Sequence, residues 1–150
     1  MFADTVLVRV EHRMARGRSI TELDGTPGEA TSSFWSRVPG HLEPSAATLA
    51  VIGDYVSGGV SQPLGIRTMG RSLDNTLRVA QLVPTEWILC DIQIHALAHG
   101  FGHGTAHLWA DDGTLLGIAS QSISVRPWPG DAAVVSGAAL SGRDSAEGGS

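Results

Sequence analysis

One segment of the chain has almost no polar face. In "EPSAATLAVIGDYVSGG" (43–59), Ala46, Ala47, Leu49, Ala50, Val51, Ile52, Tyr55 and Val56 follow closely on one another. Pro44 stands where the first turn of a helix tolerates proline, and Gly58-Gly59 punctuates the end, so the pattern predicts a helix over 44–57. A helix that is apolar nearly all round belongs inside a core. The flanking segments alternate instead. "TVLVRVEH" (5–12) and "SSFWSRVPG" (32–40) read as strands, separated by a polar loop rich in Gly and Pro. After the helix, 72–83, 86–97, 104–113 and 114–126 read as strands, with Asp112-Gly113 marking a hairpin. The expected architecture is α+β: one buried helix followed by an antiparallel meander of about four strands. From Pro129 onward the residues are small and polar, which predicts disorder. Three segments result: an N-terminal strand and loop (1–31), a folded domain (32–128) and a tail (129–150).

Composition narrows the partners. The chain has 150 residues, which suits one domain, and a net charge of -5, which disfavours nucleic acid and anionic membranes. No apolar run near the N-terminus resembles the core of a signal peptide, and none approaches a membrane span, so a cytoplasmic setting is expected. The single cysteine, Cys90, excludes an internal disulfide and a cysteine-rich zinc site.

The most conspicuous chemistry is a row of histidines, His95, His99, His103 and His107, at an unbroken spacing of four. Gly100, Gly102 and Gly104 interrupt any helix there. On a strand, residues four apart share a face but lie roughly 13 Å from one another. No HExxH or CxxC pattern supplies further ligands, so no metal is expected and the histidines read as strand and loop residues. Asp54 is quieter. It is the only acidic or basic side chain between Glu43 and Arg67, near the end of the apolar helix. The negative end of a helix disfavours a carboxylate, so Asp54 is either satisfied by backbone groups or held for chemistry.

The order of several short motifs resembles the C-terminal half of the acyl-CoA thioesterase II family, within the hotdog superfamily. The motifs are Ser72-Leu73-Asp74, Glu86-Trp87-Ile88-Leu89, Asp112-Gly113 and Ala119-Ser120-Gln121, preceded by "SAATLAVIGDYVSGG" for the family's central helix. The resemblance covers roughly 32–128. It implies a hotdog fold, with an antiparallel sheet wrapped round the helix, and hydrolysis of a fatty acyl-CoA without cofactor or metal. It also implies a catalytic group of Asp54, Ser72 and Gln121. A carboxylate can accept a proton from water, and a hydroxyl and an amide can orient that water. Asp74, on the same strand face as Ser72, is either support or exposed surface. Asn75 stands where the family commonly has His or Tyr.

The family carries two hotdog repeats, and this chain has room for the second, so pairing into a homodimer or larger homo-oligomer is expected. The competing readings are a non-catalytic hotdog subunit that binds acyl groups or a partner protein, a hydratase, and a metal-binding module. The hydratase pattern, Asp-x4-His, is missed because Asp91 and His95 have only three residues between them.

Overall fold

The computed structural model describes residues 10–40 and 43–131. The elements follow in the order β1 (Glu11–Arg16), a 3₁₀ turn (Ile20–Glu22), β2 (Thr31–Arg37), α1 (Ala46–Gly53), a 3₁₀ segment (Asp54–Val60), α2 (Ser61–Leu64), β3 (Thr68–Ser72), β4 (Thr76–Val79), β5 (Ile88–Ala98), β6 (Phe101–Ala110) and β7 (Leu115–Pro127). The strands form one antiparallel sheet in the order β1-β2-β5-β6-β7-β3, with β4 also on β7.

Helical residues Leu49, Ile52, Val56 and Val60 are fully buried, and their spacing of three and four puts them on one stripe. They pack on the inward side chains of β5, β6 and β7, among them Ile88, Cys90, Ile92, Ile94, Ala106, Leu108, Ala119 and Ile123. The 3₁₀ segment touches both β5 and β3, which are separated by β6 and β7 in the sheet. Three strand spacings would hold β5 and β3 about 14 Å apart in a flat sheet. The sheet therefore curls round the helix. The Cys90 thiol lies inside this core, fully buried beside the Ile52 carbonyl, and burial pushes its pKa up.

Four expectations need correction. The helix does not stop at Gly58-Gly59. It tightens to 3₁₀ at Asp54, continues through α2, and ends at Gly65, which has the left-handed φ of 68°. Gly59 serves close packing instead, since a Cβ there would lie 2.7 Å from Ile92 Cγ2. Among the described residues the first strand is Glu11–Arg16, which extends beyond the expected 5–12; of that range, 5–9 lies outside the described residues. Every residue of β1 is exposed, so this edge strand carries no hydrophobic alternation to read.

The expected strand 72–83 is an interrupted strand, β3 and β4, and it pairs with β7 rather than with β5. Periodicity reports which face of a strand is buried, not which neighbour the strand takes. Finally, Trp128–Asp131 is ordered as a turn, and Asp131 holds Arg67 through both guanidinium and backbone N–H. The remainder of the expected disordered tail, 132–150, lies outside the described residues.

Two small residues set how closely α1 approaches β7. A Cβ on Gly53 would lie 2.8 Å from Ala119 Cβ. Gly53→Val should therefore cost about 2 kcal/mol, because overpacking outweighs the small gain in helix propensity. The measurement is the urea midpoint at unchanged m-value; a midpoint equal to that of the parent would contradict the packing described.

Candidate active site

Between Ser72↔Ile123 and Thr76↔Ser120, the three residues Leu73, Asp74 and Asn75 face only Gln121 and Ser122 of β7. This bulge re-aims the side chains of the strand. Asp74 Oδ1 accepts the Ser122 N–H at 2.7 Å, and this hydrogen bond lowers the Asp74 pKa. Asn75 Nδ2 instead donates to Asp54 Oδ1 at 3.1 Å.

Gln121 is the centre of the cluster and is fully buried. Its inward direction follows from the alternation of β7, in which Ala119, Ile123 and Val125 also face the helix. Its Oε1 accepts the backbone N–H of Ser57 at 3.0 Å. A backbone N–H can only donate, so the orientation of the amide is determined. Nε2 then donates to Asp54 Oδ1 at 2.7 Å and to Ser72 Oγ at 2.8 Å. Ser72 Oγ accepts in that bond, which leaves its proton available. Asp54 Oδ1 is doubly hydrogen-bonded, whereas Oδ2 has no partner among the described residues. Asp54 and Ser72 are both exposed, so the pair faces solvent from a buried amide.

The three residues singled out from the sequence therefore come together. Two contributors were not singled out as site residues. Asn75 carried a signal only as a departure from the family pattern. The Ser57 N–H, being backbone, carried none. The view of Asp54 as a carboxylate at a negative helix end also changes. Asp54 lies at the junction of α1 and the 3₁₀ segment, inside a helical run that continues to Gly65, so it is not at a free negative helix end.

The histidines do not form one row. His99 occupies the turn between β5 and β6 with φ of 53°, and the hairpin brings the rings of His95 and His103 to 6.3 Å. Spacing along a single strand does not capture this approach across two. His95 bonds Thr105 and His103 bonds Ser122, while His107 stacks on Trp109. Among the described residues, no three His, Cys, Asp or Glu side chains are grouped to hold a metal.

The region 3–125 matches the family model described as acyl-CoA thioesterase C-terminal domain. The chain belongs to that family. Its structure resembles a protein of Novosphingobium aromaticivorans provisionally assigned as a thioesterase, with 31% identity and a TM-score of 0.65 over 79% of this chain and 43% of that one. A hotdog-fold protein of unknown function from Alicyclobacillus acidocaldarius gives 20% identity and a TM-score of 0.67, over 81% of this chain and 47% of that one. A hypothetical thioesterase of Streptococcus pneumoniae, seen with coenzyme A, gives 11% identity and a TM-score of 0.60, over 78% and 87% of the two chains. No curated protein matches. The fold of this family member is thus a hotdog, and the chain spans less than half the length of the first two of these relatives.

Next to Asp54, Tyr55 OH meets His12 Nε2 at 3.0 Å, and His12 Nδ1 meets Ser36 Oγ at 2.9 Å. Phe34 packs edge-on to both rings. Although His12 is exposed overall, Phe34 and Tyr55 cover part of its ring, and this partial desolvation lowers its pKa below the ordinary value. The unfolded chain, with a histidine pKa of about 6.5, then takes up a proton first on acidification. Stability should fall as pH drops from the unfolded value to the depressed folded value, and should be independent of this group above that window. His12→Asn should flatten this part of the profile, measured by urea unfolding between about pH 7 and pH 5. A slope that persists unchanged in His12→Asn would assign it to another group.

Proposed function

We propose that the protein hydrolyses a fatty acyl-CoA to the free acid and coenzyme A, with Asp54 as general base, Ser72 holding the attacking water, and Gln121 holding Asp54 and Ser72 in place. The observation that carries this reading is the Gln121 amide, which binds the acidic oxygen and the hydroxyl on one nitrogen. A water placed between Asp54 Oδ2 and Ser72 Oγ gives its proton to the carboxylate. Its oxygen attacks the thioester carbonyl carbon, the C–S bond breaks, and the proton passes from Asp54 to the departing thiolate. Asn75 and Gln121 keep Oδ1 occupied and so direct the basic lone pairs to Oδ2. Family membership supports the reaction class, and the coenzyme A bound by the Streptococcus pneumoniae relative supports the carrier.

Asp54→Asn preserves shape and removes the proton acceptor. It should lower kcat about 100- to 10,000-fold with little change in KM, as measured by thiol release from a panel of acyl-CoAs of increasing length. Ser72→Ala, which loses a contact to the water, and Gln121→Ala, which loses only the positioning of Asp54 and Ser72, should cost less, with effects that are not additive with Asp54→Asn. Wild-type turnover in folded Asp54→Asn would overturn the mechanism. If the wild type binds acyl-CoA and hydrolyses none of the panel, the non-catalytic acyl-binding reading replaces it.

We further propose a cytoplasmic homodimer, joined through the sheet edge from Leu73 to Leu82. Leu73, Val79 and Leu82 on this stretch are exposed by 56%, 43% and 49%. Unpaired edges that also carry apolar side chains invite pairing, and twofold closure is its commonest form. Light scattering at micromolar concentration should give twice the monomer mass; the monomer mass would refute the pairing.

A further inference from the structure

We infer that Arg71 and Arg126, with Ser124, form a phosphate-binding cradle that captures the nucleotide end of coenzyme A. This deepens the reading above and rests on it for the identity of the ligand.

The three residues line a cavity of about 330 Å³ with Met69 and Gly70, on the outer side of β3 and β7. Arg71 lies opposite Ser124 and Met69 opposite Arg126, so the two arginines are diagonal neighbours on one face of the sheet. Like charges at this diagonal spacing repel weakly, and an anion between them would be held by both. The chain has 15 acidic side chains and 10 basic ones, so carboxylates are in excess. Arg16, Arg18, Arg37 and Arg67 each have a carboxylate partner. Arg71 and Arg126 have none among the described residues, and Ser124 makes no side-chain hydrogen bond there.

Two guanidinium forks and a hydroxyl are the donor set that a phosphate or diphosphate requires. Arg71 is also adjacent to Ser72, whose side chain points to the opposite face and into the Gln121 cluster. The anion cradle and the water-holding group are therefore separated by the thickness of one strand. β3 is the last strand of the sheet, and its edge from Thr68 to Ser72 lies beyond the segment proposed for dimer pairing. The flexible pantetheine arm between the diphosphate and the thioester can pass round that edge.

The test compares an acyl-CoA with the N-acetylcysteamine thioester of the same acyl group, which has no phosphate. In Arg71→Ala and Arg126→Ala, KM for the acyl-CoA should rise about tenfold, while KM for the short thioester should not follow. Arg16→Ala, an exposed arginine of β1 at the opposite edge of the sheet, serves as the control for loss of charge. An unchanged KM for the acyl-CoA, or parallel rises for both substrates, overturns the proposal. Should the wild type hydrolyse neither thioester, calorimetry with free coenzyme A and with pantetheine decides. Binding of coenzyme A alone, lost in Arg71→Ala/Arg126→Ala, upholds the cradle while the hydrolase reading falls. Equal binding of both ligands, or of neither, rejects the cradle independently of the catalytic question.

Discussion

The hydrogen bond from the Ser57 backbone N–H to Gln121 Oε1 fixes the rest of the site. It joins the 3₁₀ segment to the middle of β7 and leaves the amide only one orientation. Without it, Nε2 would be free to exchange places with Oε1, and the amide oxygen would face a carboxylate. With it, a neutral and fully buried side chain presents one nitrogen to Asp54 and Ser72 together. The functional pair can then stand in solvent while its geometry is set from inside the core. The close approach of Gly53 to Ala119 belongs to the same constraint, since a larger pair would move the helical segment away from β7 and lengthen the bond to Ser57.

What the sequence made legible follows from what side-chain patterns encode. The apolar run from Ala46 to Val56 identified the central helix because burial on all sides leaves no polar face to place. β5, β6 and β7 were visible because each alternates between a buried and a half-exposed face. β1 beyond His12 carries no readable pattern because both its faces are exposed, and the pairing of β3 and β4 with β7 is not legible because alternation is silent on neighbours. Gly58-Gly59 was mistaken for a stop because glycine also serves where two backbones approach closely.

The site was legible to a different degree. Asp54, Ser72 and Gln121 came from the order of motifs, not from periodicity, and the fold brings them together. Asn75 reaches Asp54 only because a bulge inserts one extra residue, and such an insertion has no signature in a run of polar side chains. The histidine row shows the reverse case. Its regular spacing attracts attention, yet the turn at His99 and Gly100 divides it between two strands, and the rings of His95, His103 and His107 find local neighbours instead.

The burial of Cys90 has a practical consequence. The only sulfhydryl in the chain is enclosed by the helix and the sheet, and its proton is held more tightly than that of a free thiol. A protein with such a residue does not cross-link on standing in air and does not consume aromatic disulfide reagents while folded. Chromogenic detection of released coenzyme A then proceeds without a blank from the enzyme. The same reagent reports unfolding, because colour from the protein itself can appear only once the core has opened.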